Sequence, residues 1–572
     1  MRLRRRKTFS NQDHGREYYR GLIFLFFSAL TVRLIYLVEI SDVVAFDILL
    51  GDAAGYDRWA RSISAGDWLG NDVFYQSPLY PYFLGIIYFL FGRDLLLVRI
   101  IQAVMGAVSC VLMAGAGTAF FNKRVGILGG WLLGLYPAAI YFDGSIQKTS
   151  LGLFLTTLLL WLLGLIRRRS PNWAWVACGM AVGCLGLIRE NSLVLFVLVL
   201  PWIFTLSKEA RWKKGFYRAG LFALGVGMIL LPVGLRNKMV GGDFTLTTAQ
   251  FGPNFYIGNN RTADGLYREL VWSRGNWRYE RADAVRLAEE AAGRALGPAE
   301  VSNFWFRKTA SEIVADPFSW VRLMVKKWGL LWNAAEIGDS ESQYAYAHWS
   351  LLLYVLGQIF HFGLLCPLAA AGIWSTWADR RRLFVLYLVL FGYAGSVLLF
   401  YIFARYRAPM VPVLCLFAAA GMGRLFSLAR EKEIKKIAAI AAVFLLVAVG
   451  VNREIIPSSY FAATTYNNLA MRLEDRDPEK AGAFYLEAVR LNPADGKVFF
   501  SLGCFLMKQQ RFEEAVAAFG QVLKLDPKNA MAHDHIGRVY LKLDRPTAAE
   551  HHFRAAAEIN NGLDQTMTAG PR

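Results

Sequence analysis

Apolar runs of about 20 residues recur along the chain, each broken by a short polar stretch. That is the length a helix needs to cross a bilayer. The first run is 21–40, and others fall near 95–121, 125–142, 147–166, 173–188, 190–206, 219–236, 349–374, 383–403, 408–426 and 437–453. A shorter run, PLYPYFLGIIYFLFG at 78–92, either crosses or lies in the interface, and that choice sets the topology. Positive charge in short loops marks the inner face. Arg2, Arg4, Arg5, Arg6 and Lys7 put the N-terminus inside. With 78–92 in the interface, the clusters Lys123–Arg124, Arg167–Arg169, Lys208–Arg218, Arg380–Arg382 and Arg430–Lys436 also fall inside. The expectation is therefore eleven spans. The stretches 41–77, 143–148, 189–191, 237–348, 404–407 and 454–572 then share the outer face.

Helical periodicity appears in the polar stretches too. Tyr56, Trp59 and Ile63 predict a helix over 54–65 lying against the membrane. The loop 237–348 is too long for a mere connector. It holds an amphipathic pattern at Arg281–Arg294, and a mixture of Trp320, Trp328 and Trp332 with Arg322, Lys326 and Lys327. The second pattern predicts an interfacial helix over Phe318–Trp332.

From about 466 the hydropathy falls and a 34-residue period begins. Pro493, Pro527 and Asn561 keep it, as do Gly503 and Gly537, Ala515 and Ala549, and Phe519 and Phe553. Period and spacing resemble tetratricopeptide repeats, two good copies after a weaker one. Small residues would let paired helices approach, with aromatics filling the gap between neighbours. This pattern speaks for an α-solenoid over 466–561, with a flexible tail at 562–572, and is silent on ligand.

Composition agrees with the pattern. The chain of 572 residues is 55% hydrophobic and 19% charged, too apolar for a soluble protein and for a disordered one. The net charge of +19 belongs to the ends of apolar runs, which suits topology control rather than a nucleic-acid groove. Five of the six cysteines, all but Cys504, lie inside apolar runs. No Cys/His cluster suggests a metal or a disulfide framework. No cleavable signal peptide is expected, because the first run is long and lacks a cleavage site.

No nucleotide-binding or hydrolase motif occurs, so candidate chemistry sits on the outer face. Asp52 follows the first span in GDAAGYDRWARSISAGDW and reads either as a helix cap or solvated carboxylate, or as a base. Arg405 and Arg407 stand in a short outer loop, where topology disfavours them. They read either as snorkelling residues or as anion ligands, with Arg189 and Lys148 behind them. Arg33, inside the first span, is costly there unless paired or near a cavity, and pairing with a loop acid is the expected role.

Asp52, Tyr56, Gly66, Asp67 and Trp68, then Ser77–Pro78–Leu79–Tyr80–Pro81, come first in a set of motifs. Pro253–Asn254–Phe255–Tyr256–Ile257–Gly258–Asn259–Asn260, Ala263–Asp264–Gly265 and Ala404–Arg405–Tyr406–Arg407–Ala408–Pro409 complete it. Together these resemble the integral-membrane glycosyltransferases that use polyprenyl-phosphate-linked sugars, among them protein O-mannosyltransferases and aminoarabinose transferases. The resemblance covers roughly residues 20–430. Ala53 stands where many members have Glu, Gln76 and Ser77 replace a charged pair, and the acidic position of FDGSIQK falls on Asp143 or Lys148.

The resemblance implies an all-α polytopic fold of GT-C type in the bacterial inner membrane, with the catalytic face and the repeats on the periplasmic or extracellular side. It divides the chain into a seven-span catalytic module at 1–236 with outer loop 41–94, the large loop 237–348, four spans at 349–453 and the repeats. It implies sugar transfer from a polyprenyl phosphate to an acceptor hydroxyl, with inversion, Asp52 as base, and no obligatory cofactor or metal. Arg405, Arg407, Arg189 and Lys148 would hold the donor phosphate; Tyr56, Asp143, Tyr256, Asn259 and Asn260 would line the substrates. The partners expected are the lipid-linked sugar and an acceptor protein or glycan recruited by the repeats; nucleic acid is not expected. The alternatives are a lipid-linked-sugar transporter or flippase, and a non-catalytic scaffold presenting the repeats.

Overall fold

The computed structural model describes the backbone of residues 2–206, 212–272 and 277–568, and side chains within 16–206, 212–272 and 279–560. The expected tail 562–572, the side chains of the N-terminal basic cluster, and Lys208 and Arg211 lie outside these side chains. All regular elements among the described residues are helices. They form two compact units: Met1–Val43, Gly51–Ile337 and Tyr346–Ile455 make the first, and Val44–Leu50, Gly338–Ala345 and Ile456–Arg572 make the second.

In the first unit the helices are α1 Arg16–Ile40, α2 Gly51–Ser64, α3 Leu79–Phe91, α4 Leu95–Phe120, α5 Lys123–Gly134, α6 Pro137–Asp143, α7 Lys148–Arg168, α8 Asn172–Ile188 and α9 Glu190–Thr205. Then come α10 Trp212–Gly241, α11 Phe251–Asn259, α12 Trp277–Ala292, α13 Pro298–Ala315, α14 Pro317–Trp332, α15 Leu351–Ser375, α16 Phe384–Leu398, α17 Ala404–Arg430 and α18 Ile434–Val451. Seven of them (α1, α4, α7, α10, α15, α17 and α18) are long and apolar enough to cross a membrane. An eighth span forms if α5 and α6, bent by 61° at Leu135–Tyr136, count as one. Shorter apolar helices α8, α9 and α16 occupy the other three expected spans, and α3 is the apolar run 78–92. The chain is a polytopic helical membrane protein. Apolar side chains such as Leu445, Leu446 and Val449 on α18 are bare, as a lipid-facing helix requires.

Small residues allow the tightest crossings. A Cβ on Gly179 of α8 would lie 2.0 Å from the Phe222 carbonyl of α10, and one on Gly225 of α10 would lie 2.1 Å from the Val176 carbonyl of α8. This is reciprocal small-residue packing of membrane helices. In the same way Gly106 of α4 leaves room for a buried ion pair: Arg33 Nε donates to Asp143 Oδ2 at 2.7 Å. Arg33 therefore has the acidic partner its position called for.

The helices of the long polar loops stand close to where periodicity put them. The expected 54–65 is α2, Arg281–Arg294 is α12, which starts four residues and ends two residues earlier, and Phe318–Trp332 is α14.

The second unit holds three helix pairs: α19 Ser458–Leu473 with α20 Pro478–Leu491, α21 Gly496–Lys508 with α22 Phe512–Leu525, and α23 Ala530–Lys542 with α24 Pro546–Thr568. The weaker copy starts at Ser458, eight residues before the expected 466. Asp477, Asp495 and Asn529 cap α20, α21 and α23 by accepting from Lys480, Lys497 and Ala532 backbone N–H at 3.1, 2.9 and 3.0 Å. The Gly/Phe period has a direct cause. Cβ atoms at Gly503 and Gly537 would fall 2.7 and 2.8 Å from Phe519 and Phe553, so each aromatic rests on the glycine of its own pair. Phe519 also lies 5.4 Å from the ring of His535 in the next pair, as an inter-repeat filler should.

Candidate functional site

The site gathers around Asp52 in the first turn of α2. Arg405 Nη1, from the first turn of α17, donates to Asp52 Oδ2 at 2.6 Å. Gln76 Nε2 donates to Asp52 Oδ1 at 3.2 Å. Lys148, the first residue of α7, is buried and within electrostatic reach of both Asp52 and Arg405. Burial alone pushes the Asp52 carboxyl up. The Arg405 guanidinium and then Lys148 outweigh it, with the hydrogen bonds from Arg405 and Gln76, and hold it below the ordinary carboxylate range. Burial raises the Tyr56 phenol well above its usual value, so it stays a donor; its hydroxyl is buried and no described residue pairs with it.

A cavity opens beside this cluster. Ser77, Lys148, Arg189, Glu190 and Gln250 form its polar wall, and Phe251, Val397, Phe400 and Tyr406 an apolar one. Asn254 completes the polar wall and accepts from the Tyr401 hydroxyl at 3.1 Å. The Arg189 guanidinium lies 4.3 Å from the Tyr406 ring centre, and that of Arg405 lies 5.5 Å from the same ring. Two guanidinium groups therefore share one aromatic face pair. Arg189 Nη2 is buried with no partner among the described residues. Three cations thus converge from α7, the α8–α9 junction and α17. They can hold an anion, and the ionised carboxylate beside them can take a proton.

Five expected site residues stand elsewhere. Arg407 is 2% exposed and tied to Glu336 at 2.8 Å, with its remaining N–H groups on the carbonyls of Leu331, Asn333 and Ala335. It ties the α14 end to α17 and is not a donor-phosphate ligand here. Asp143 spends one oxygen on Arg33 and the other on Ser150 Oγ at 2.5 Å, so it is a buried structural acid rather than a substrate contact. Asn259 donates to Phe255 and Leu399 carbonyls and accepts from Trp320 Nε1 and Lys327 Nζ, joining α11 to α14. Asn260 closes a turn onto Thr262. Tyr256 packs on Trp305 at 4.6 Å with Lys308 over its ring, within the loop-helix layer.

Sequence reasoning left out Glu190, Gln76, Gln250 and Asn254. Gln76 stood as a departure from a charged pair and Asn254 within a quoted motif. Glu190 gave one signal only, a carboxylate at the end of an apolar run. Among the described residues no group of three or more His, Cys, Asp or Glu side chains stands close enough to hold a metal ion.

Residues 75–233 match the family described as dolichyl-phosphate-mannose-protein mannosyltransferase, and residues 505–544 match the TPR repeat. Both matches fall where the sequence resemblances were drawn. Among solved structures, the archaeal oligosaccharyltransferase AglB from Archaeoglobus fulgidus, in complex with an inhibitory peptide and a dolichol-phosphate, aligns over 81% of this chain with 16% identity and a TM-score of 0.43. The chain spans 59% of that AglB chain. ArnT from Cupriavidus metallidurans, bound to undecaprenyl phosphate, aligns over 72% of this chain and 79% of its own, with 15% identity and a TM-score of 0.35. Hsc70-interacting protein 1 of Drosophila melanogaster is 38% identical over 55 residues, 10% of this chain and 15% of that protein.

Proposed function

We propose that the protein is a membrane glycosyltransferase that moves a sugar from a polyprenyl phosphate to an acceptor hydroxyl on the outer face. The observation that carries this reading is the meeting of Asp52 with Arg405, Lys148 and Arg189 beside one polar cavity. The family match over 75–233 supports it. In this scheme the acceptor oxygen attacks the anomeric carbon while the bond from that carbon to the phosphate oxygen breaks. The hydroxyl proton passes to Asp52, and the lipid phosphate leaves with the bonding electrons onto the three cations. Attack opposite the leaving group inverts the anomeric centre.

Arg405 couples the two halves. At rest its charge keeps Asp52 ionised but weakly basic. A phosphate that draws on the same guanidinium returns basicity to Asp52 when the donor is in place. Asp52→Asn should cut turnover of a labelled polyprenyl-phosphate sugar by more than ~10²-fold at unchanged expression, the low end for loss of a general base. Turnover near that of the unmodified protein would discard the assignment. Arg189 and Lys148 belong to the phosphate; the repeats belong to acceptor recruitment, in a multi-pass protein of the bacterial inner membrane.

A further inference from the structure

Glu190 has no task in the transfer scheme, yet it is the carboxylate that lines the cavity beside Asp52. Its Oε1 is out of reach of solvent and has no hydrogen-bond partner among the described residues. Gln250 lines the same wall of the cavity. A buried carboxylate oxygen left without a donor is costly, and persists where a ligand supplies the missing donor. Around it stand Asn254 and Asn191, amides that can both give and accept, and Phe251 and Phe400, whose faces suit the C–H side of a sugar ring. The neighbour on one side in sequence is Arg189, a proposed phosphate ligand, so a group held by Glu190 lies next to the phosphate.

We propose that Glu190 is the sugar-binding carboxylate of this cavity, accepting hydrogen bonds from hydroxyls of an uncharged donor sugar. The assignment rests on the transfer reading given above. Charge selects the sugar class. Lys148, Arg189 and Arg405 against Asp52 and Glu190 leave one positive charge around the cavity. A sugar joined to lipid through one phosphodiester brings one negative charge and balances it. A uronic acid would add a second negative charge facing Glu190, and an amino sugar would set an ammonium among three cations. A neutral sugar leaves neither unbalanced.

The test uses the full-length protein in lipid nanodiscs. The donors are a polyprenyl phosphate carrying mannose, its singly deoxygenated versions, the same lipid carrying glucuronic acid or an amino-deoxypentose, and the bare lipid phosphate. The protein should lose ~10–100-fold in kcat/KM on at least one deoxygenated donor, the range for a hydrogen bond to a charged group. Glu190→Ala should bring that ratio to about one, while binding of bare lipid phosphate changes less than about twofold. Glu190→Gln, which keeps the shape, should reduce the ratio and retain the thermal midpoint. An unchanged ratio in Glu190→Ala and Glu190→Gln, or a preference of the unmodified protein for a charged sugar, overturns the assignment alone. No turnover with any donor, or bare lipid phosphate that fails to bind, overturns the transfer reading and the assignment with it.

Discussion

At the scale of single residues, Arg405 and Arg407 are the instructive pair. In sequence they are alike, two basic residues in one short outer loop. In the structure they share the helical turn that opens α17, and residues two apart on a helix point to different sides. Arg405 reaches Asp52, 11% exposed beside the cavity, while Arg407 turns into a buried nest of carbonyls and Glu336. The two substitutions should therefore separate cleanly. Arg405→Gln should raise donor KM and lower kcat with little change in thermal midpoint. Arg407→Gln should cost about 3 kcal/mol, the loss typical when one member of a buried pair is left alone, with donor KM unchanged in the protein that folds. Donor kinetics and detergent-resistant melting of both variants give the check; equal kinetic defects would return Arg407 to the site. The place of Asp52 in the first turn of α2 was legible, because it follows a span and precedes a helical pattern. Glu190 was not, because a carboxylate next to Arg189 reads as an ion pair until the fold shows which polar atoms have partners. Asp143 was misread for the converse reason: its partner Arg33 lies 110 residues away, and no local pattern joins them.

Elements were the most legible scale, since periodicity reports the face a helix buries. Each expected apolar run is helical, 125–142 as the bent pair α5 and α6, and α2, α12 and α14 follow the amphipathic patterns that announced them. What the pattern could not give is which helices dock on which. The basic–aromatic stripe of α14 reads as a surface feature, and Phe318, Val325 and Trp328 are indeed bare. Lys327 on the same helix is fully buried, donating to Asn259 Oδ1 at 3.0 Å and to the Leu398 carbonyl at 3.1 Å. Burial pulls this amine down to about 7. Unfolded, it would keep its proton to the ordinary 10.5, so between about 7 and 10.5 the unfolded chain binds the extra proton. Stability then rises with pH across that window, because the folded state no longer pays to hold a buried charge. Lys327→Met should remove this rise: the difference in unfolding free energy between the two proteins should change steadily from pH 7 to pH 10 and flatten below 7. A difference constant across that range would place the amine in contact with water.

At the scale of the whole molecule, a repeat array follows a membrane unit that already contains the proposed chemistry. The span α18 follows the basic stretch Arg430–Lys436, so the bias of positive charge predicts that the chain runs outward there, to the face proposed for Asp52. An array of three helix pairs presents a short groove, and such arrays use their inner surface to hold other chains. Recruitment of an acceptor follows as the role to test, and the structure shows where to cut. Within the second unit, α19 holds the segments Val44–Leu50 and Gly338–Ala345: Arg472 Nη2 donates to the Leu49 carbonyl at 3.5 Å, and Asn468 Nδ2 to the Ser340 carbonyl at 3.0 Å. A truncation that removes α19 would strip both segments of their packing and confuse folding with recruitment. Deleting residues 492–572 keeps α19 and α20 and removes the two regular pairs. Since each repeat is stabilised by its nearest neighbours, the remaining pair should survive the cut with the membrane unit intact. Transfer to the native acceptor should fall at least tenfold at limiting acceptor, with kcat at saturating small acceptor and slow donor hydrolysis unchanged. Native-acceptor transfer undiminished in a stably expressed truncation would assign α21–α24 to something other than acceptor capture.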